Sequence, residues 1–159
     1  MFEQSVRNGR RTSLTGLLLA LGDRCLVLPN VAVAELIGYQ AGTPAEQSPP
    51  WLLGWIDWRN QRVPLLSFEA ACGAPVKVGE RARIVVLNAL GGSRLRFVAL
   101  LVQGIPRSCK LDSQLYYVDV PLAPLELAAV QVGEQVARVP DLVALERLVR
   151  DADLQPDLD

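Results

Sequence analysis

The sequence of 159 residues contains no histidine. Histidine is the commonest metal ligand in proteins and the usual base of a nucleophilic triad, so its absence removes most familiar catalytic and metal-binding arrangements. Cysteine is also scarce, because only Cys25, Cys72 and Cys109 occur and they form no C-x-x-C pair. We interpret these three as small buried hydrophobic residues. The sequence therefore predicts no catalytic residue, no metal site and no cofactor.

The sequence also has no large net charge and no long apolar run. Sixteen basic residues nearly cancel seventeen acidic ones, and so small a net charge does not attract a polyphosphate chain. The longest apolar runs, such as residues 97–102, have the length of a strand and not of a membrane span. The charged N-terminal residues and the run behind them lack the pattern of a signal peptide. We therefore expect a cytoplasmic protein that neither binds nucleic acid nor inserts into a membrane.

What the sequence does contain is a series of short apolar runs separated by turn residues. The runs within 17–28 flank a Gly-Asp pair and those within 82–102 flank a Gly-Gly pair, which is the composition of two similar β-hairpins. The run at 31–37 is too short to distinguish a strand from a single helical turn. Further strand-length runs lie at 115–120, 125–132 and 134–139.

The end of the fold is predicted to be one helix at 140–150, with Pro140 and Asp141 at its start and leucines on one side. About ten short strands with turns at regular intervals favour small β-barrels over a parallel sheet. We therefore expect an all-β protein with two similar β-subdomains. The domain layout that follows is a flexible N-terminal arm at 1–13, one domain at 14–150 and an acidic tail at 151–159.

All three tryptophans lie within the stretch "WLLGWIDWRNQRVPLL" at residues 51–66. Their spacing of i, i+4 and i+7 would suit one face of a helix. However, Pro50, Gly54 and Pro64 favour a strand, a turn and a second strand. Asn60 tolerates the left-handed conformation that a tight reversal needs. The stretch is therefore predicted to fold back on itself as two paired strands.

The strand alternation decides where the rings point. Trp55 and Asp57 share one face, while Ile56 and Trp58 share the other, so the three rings cannot all enter one core. We expect one of Trp55 and Trp58 inside the first barrel and the other, beside Arg59, at a surface that a partner covers, because interfaces prefer aromatic and arginine anchors. A rival hypothesis makes the chain a β-barrel enzyme or enzyme subunit, with Asp57 and Arg59 lining a small-molecule pocket.

With these residues in place, the chain resembles the CheW-type chemotaxis coupling domain. The segment "LLLALGDRCLVLPNVAVAELIGY" is similar to that family's hairpin followed by a V-x-E-I/V segment, and "GWIDWRNQRVPLLSF" is similar to its G-x-x-N-L-R-G-x-x-x-P-V-x-D-L motif. Residues 82–105 resemble the family's second hairpin. The chain differs at Asp57, Trp58 and Asn60, where the family usually has Asn, Leu and Gly.

The resemblance implies two pseudo-symmetric, five-stranded SH3-like β-barrels in one compact CheW-like domain with a C-terminal helix. It implies a non-catalytic adaptor that couples the cytoplasmic tips of methyl-accepting chemoreceptors to a CheA-type histidine kinase, in chemotaxis or in a related pathway of pilus motility or surface sensing. The candidate partner-binding residues are Val33, Glu35, Gly54, Trp58, Arg59 and Asn60. Two of them have plainer alternatives, since Gly54 would also serve close strand packing and Glu35 an ordinary solvated surface.

Overall fold

The computed structural model describes residues 13–44, 47–91, 94–112 and 115–152, so the predicted arm and acidic tail lie almost wholly outside the described residues. Within these ranges the chain forms strands and two short α-helices. The strands are β1 (Ser13–Ala20), β2 (Cys25–Pro29), β3 (Val33–Gly38), β4 (Leu52–Trp58), β5 (Gln61–Leu66), β6 (Arg83–Asn88), β7 (Phe97–Val102), β8 (Arg107–Asp112), β9 (Tyr116–Tyr117), β10 (Glu126–Val132) and β11 (Gln135–Pro140). The helices are α1 (Phe68–Ala71) and α2 (Leu142–Asp151).

The strands form two sheets. Sheet A has the order β8-β1-β2-β11-β10-β9 and sheet B the order β3-β6-β7-β5-β4. The middle of the chain therefore builds sheet B, and the two flanking parts build sheet A. The predicted all-β class with two β-subdomains and a C-terminal helix is confirmed, and sheet B has the expected five strands. Sheet A has a sixth because the two-residue β9 pairs with β10.

Each sheet is apolar on both faces because three cores share the strands. The central core lies between the sheets and α2, and each sheet also curves around a small core of its own. The central core includes Leu19, Leu26, Leu28, Val85, Leu87, Leu100, Leu145 and Val149. The core of sheet B includes Ile56, Trp58, Val63, Leu65, Ile84, Val86 and Leu101, and that of sheet A is Leu18, Val27, Val130 and Ala137. Strands buried on both faces lose polar alternation, which explains the continuous runs of β6 and β7.

The predicted hairpins are confirmed with changes in their details. β1 pairs antiparallel with β2, and β6 with β7. The second connection is longer than the tight Gly-Gly turn expected, since Asn88 is opposite Phe97 and Ala89 still donates to the carbonyl of Arg96. The ambiguous run at 31–37 proves to be both alternatives, with a 3-10 turn at Asn30–Ala32 followed by β3.

Two buried glutamates each hold one hairpin connection, β1–β2 or β6–β7, by accepting a backbone hydrogen bond from it. A Glu69 oxygen on α1 accepts from Gly22 N at 2.7 Å, and a Glu146 oxygen on α2 accepts from Leu90 N at 2.6 Å. Both side chains are buried, at 3% and 8% exposure. Each helix thus fixes an earlier hairpin and not the one immediately before it in the chain, α1 the β1–β2 hairpin and α2 the β6–β7 hairpin, which supports the pseudo-symmetry expected from the sequence. At the start of α2 the Asp141 carboxylate caps Ala144 N, so the helix begins at Leu142 and Pro140 still belongs to β11.

Candidate functional site

The tryptophan stretch folds as the predicted pair of strands. β4 runs antiparallel to β5, with Trp58 opposite Gln61 and only Arg59 and Asn60 between them. Both turn residues have positive φ, 49° and 63°, which is the requirement of a type I′ hairpin turn. Asn60 therefore adopts the left-handed conformation predicted for it. This tight reversal fixes Arg59 directly beyond the last residue of β4.

The two faces of β4 also follow the prediction, but the exposure of the rings does not. Ile56 and Trp58 enter the core of sheet B, while Asp57 points away and pairs with Arg62 at 3.5 Å. Trp55 and Trp58 are only 5% and 6% exposed, so the expectation that one of these rings faces outward is wrong. The segment before β4 lies against Trp55, because Thr43 exchanges both backbone hydrogen bonds with it, and the closing of sheet B covers Trp58.

Trp58 and Glu35 join the two edges of sheet B. Glu35 lies on β3 and Trp58 on β4, which are the outermost strands of that sheet. Nevertheless the Trp58 indole Nε1 donates to Glu35 Oε1 at 2.8 Å, so the sheet curves until its edges meet. The Phe97 ring packs edge-on against the indole at a centroid distance of 4.7 Å. The carboxylate of one edge and the indole of the other therefore close the barrel where backbone hydrogen bonds do not.

Arg59 completes this group on the outside. Its guanidinium lies 4.6 Å from the centre of the Trp58 ring, and its Nη2 donates to Glu35 Oε1 at 3.1 Å. The Arg59 side chain is 64% exposed and that of Glu35 is 41% exposed. A guanidinium has five N–H donors, so most of those on Arg59 remain available to a partner. We call Glu35, Trp58 and Arg59 the closure cluster.

The other predicted partner-binding residues are placed differently. Val33 packs against the central core, and Gly54 lies against the preceding loop at a φ of 136°. A Cβ added to Gly54 would come within 2.7 Å of the Gly42 carbonyl carbon, so this glycine serves close backbone packing. Among the described residues, no hydrogen bond or ion pair joins Val33 or Gly54 to the closure cluster. Their role in partner binding stays a prediction.

A second charged group, which the sequence analysis did not find, lies in sheet A. The Glu126 carboxylate is 2% exposed and accepts from Arg24 at 2.8 Å and from Arg138 at 3.1 Å. Arg24 also bonds Asp23, and this hydrogen bond is the main cause that lowers the pKa of Asp23 and raises the pKa of Arg24. The partners are up to 102 residues apart in sequence, so no local pattern could reveal them. The group anchors the loop before β10, because Glu126 accepts from Ala123 N and Arg138 donates to the Pro121 carbonyl.

In the described part of the chain, the residues considered for chemistry lie in separate places. Burial is the main cause that raises the pKa of all three thiols, which keeps them protonated near neutral pH. Across the described ranges no group of three metal-ligating side chains occurs. Asp57 and Arg59 do not share a pocket, because Asp57 pairs with Arg62 on the other face of the hairpin. Among the helices described here, none is long and apolar enough to cross a membrane.

Comparisons with known proteins agree with this fold. A family model described as the CheW-like domain matches residues 15–149. Among solved structures, the chain is similar to the scaffolding protein TtCheW from Thermoanaerobacter tengcongensis, with a TM-score of 0.71 and 14% identity over 84% of this chain and 88% of that one. A search of curated proteins found no match. At such low identity the structural likeness shows the fold, and the family match rests on nearly the whole described chain.

Proposed function

This chain belongs to the CheW-like family, and from that premise we propose that it is a non-catalytic adaptor that couples chemoreceptors to a CheA-type histidine kinase. The proposed pathway is chemotaxis or a related chemosensory response such as pilus motility or surface sensing. Its partners on this proposal are the kinase and the cytoplasmic tip of a methyl-accepting receptor. Because both of those act in the cytoplasm, the proposal carries a cytoplasmic location with it.

The closure cluster is the observation that supports placing the interface on this part of sheet B. Three residues selected from the sequence meet there in one contact, in which an exposed arginine lies over a buried indole. Arginine that is ordered before binding loses less side-chain entropy when a partner arrives, and it ranks among the residues that dominate interface energies. Asn60 follows Arg59 in the turn and is also exposed. We assign the partner-covered surface to Glu35, Arg59 and Asn60, with Trp58 as their support.

The test is a binding titration of the full chain against the cognate kinase and, separately, against a cytoplasmic receptor fragment. Arg59→Ala should weaken at least one of these interactions by about tenfold or more, as expected for an interface anchor. Its melting temperature should change little, because the side chain is largely exposed. The variant thus separates binding from folding.

The same hairpin supplies a matched control. Asp57 is a charged residue of β4, its side chain is 84% exposed, and it lies on the opposite face from Trp58. Asp57→Asn should therefore leave both affinities unchanged. Equal weakening by Asp57→Asn and Arg59→Ala, or no weakening by Arg59→Ala, would move the interface away from the closure cluster.

The rival hypothesis, that the chain is an enzyme or an enzyme subunit, requires a small-molecule site. It needs a small molecule held near Asp57 and Arg59, which the structure places on different faces. A pull-down from the native lysate distinguishes the two. Recovery of a CheA-like kinase supports the adaptor, and a small molecule that is retained by the wild type but lost in Asp57→Asn supports the enzyme.

A further inference from the structure

The face of sheet A that carries its small core also carries the side chain of Arg107, an exposed residue of the edge strand β8. Arg107 lies opposite Leu18 in the β1–β8 register, so the two side chains share a face, and Leu18 belongs to the small core of sheet A. The same register alternation makes Arg107 the single charged residue on that face of the described strands. Among the residues that the structure describes, none forms a side-chain hydrogen bond or an ion pair with Arg107. Its neighbour Arg24, in contrast, is engaged by Asp23 and Glu126.

Two adjoining cavities open on either side of Arg107. Their volumes are about 360 Å³ and about 390 Å³, within the range of about 300–1,000 Å³ in which small-molecule sites fall. Both are lined by Leu18, Arg107 and Gln135, so they form one cleft with the arginine and the amide between its two ends. One end also has the apolar side chains of Ile105 and Val136 and the already paired Arg24, and the other end has Val132 and the carboxylate of Glu134, so the anion site proposed below lies towards the first end.

Two other observations fit a ligand cleft better than an idle surface. Ile105 and Val136 are large apolar side chains that remain 65% and 37% exposed, and both line this one cleft. The positive charge of Arg107 also acts on thiols at both ends, Cys25 and Cys109, where it opposes the rise that burial causes in their pKa. The guanidinium is therefore central to the cleft.

From this geometry we propose that the cleft of sheet A binds a small amphipathic anion. The anionic head, a carboxylate or a sulfonate, pairs with the Arg107 guanidinium and accepts from the Gln135 amide, and an aliphatic or aromatic body covers Leu18 and the exposed Ile105. Arginine suits this task because it presents a planar fork of donors to such a head group. The site lies on sheet A and the closure cluster on sheet B, so the proposal stands independently of the adaptor interface.

Sodium octanoate is the probe for this proposal, titrated into the full-length, isotope-labelled chain and followed by amide chemical shifts. Saturable shifts should concentrate on Leu18 and Gln135. Arg107→Gln should weaken octanoate binding by about tenfold or more, since a hydrogen bond to a charged group is lost. The matched control is Arg96→Gln, which removes the same charge from an exposed arginine of the β6–β7 connection and should leave binding unchanged.

A comparison of ligands on the wild type keeps the test decisive even if Arg107→Gln folds poorly. Octanol has the same chain without the charge, so it should bind at least about tenfold more weakly than octanoate. Equal binding of octanol and octanoate, equal weakening by both arginine variants, or shifts confined to other surfaces would each overturn the proposal. In those cases Arg107 is an arginine that rests its stem on apolar surface and keeps its head in water.

Discussion

The closure cluster allows a quantitative prediction about what holds Glu35 in place. The Arg59–Glu35 pair joins two largely exposed side chains, and such pairs contribute about 0.2–1 kcal/mol. The Trp58 Nε1 donor is attached to a buried ring, and a hydrogen bond to a charged acceptor contributes about 1.5–3 kcal/mol. Because Glu35 is 41% exposed, we expect about 1–2 kcal/mol from the indole. The barrel should therefore be closed mainly by Trp58 and only slightly by Arg59.

Two double-mutant cycles measure these contributions separately. One combines Trp58→Phe with Glu35→Ala, and the other combines Arg59→Ala with Glu35→Ala, with unfolding in urea followed by far-UV circular dichroism. The coupling free energy cancels the volume lost when indole becomes phenyl, because that loss occurs with and without Glu35. We expect coupling of about 1–2 kcal/mol in the first cycle and of less than about 1 kcal/mol in the second. A first coupling near zero, or a second one larger than the first, would refute the reasoning.

Three further predictions concern stability. Gly54→Ala should lower the free energy of unfolding in urea by about 2 kcal/mol or more, because Gly54 has a positive φ and the preceding loop leaves no space for a Cβ. Gly38→Ala is the control, because a Cβ there meets open space, and it should lower the same free energy by less than about 1 kcal/mol. Glu126→Gln should lower the free energy of unfolding by about 3 kcal/mol, because the partly buried Arg138 loses its carboxylate partner and Arg24 keeps only Asp23; the exposed control is Glu134→Gln. The free energy of unfolding should fall above about pH 9, because folding raises the pKa of all three thiols and the unfolded chain therefore loses these protons first. A variant with serine at all three cysteine positions should show a shallower decline of melting temperature with pH. An unchanged decline would contradict this prediction.

The parts of the fold that the sequence predicts well are those decided by neighbours along the chain. The β4–β5 hairpin is an example, since Gly54 and Pro64 exclude a helix and Asn60 accepts the turn conformation. Hairpins and the terminal helix follow the same local logic. Strand β8 was not predicted because its sequence, RSCKLD, is polar at alternate positions and it lies at the edge of sheet A with one side unpaired. An edge strand needs no apolar run, and so it lacks the signal that identifies an interior one.

The partition of strands between the sheets could not be predicted for a different reason. Apolar alternation tells which side chains point the same way, but it does not choose a pairing partner. Sheet A combines β1 and β2 with strands from about 100 residues later, as the pairing of Leu26 with Arg138 illustrates. Trp55 also takes part in a pairing that its own strand does not reveal, because its backbone pairs with Thr43 in the segment before β4. The sequence pointed to the cluster residues and to an exposed Arg59, and the one wrong expectation was that either Trp55 or Trp58 faces outward.

The three-core architecture explains why the closure cluster lies where it does. Interior strands such as β6 and β7 supply two cores at once, so β6 is polar only at its ends and β7 nowhere. In sheet B the closure cluster draws its side chains from the two edge strands, β3 and β4, and from the turn after β4. Where two edges meet, unpaired backbone groups would invite another strand, and a carboxylate bonded to an indole closes the gap instead. The same bond leaves Arg59 outside, ordered and exposed, so the feature that completes the barrel also prepares the surface that we expect a partner to cover.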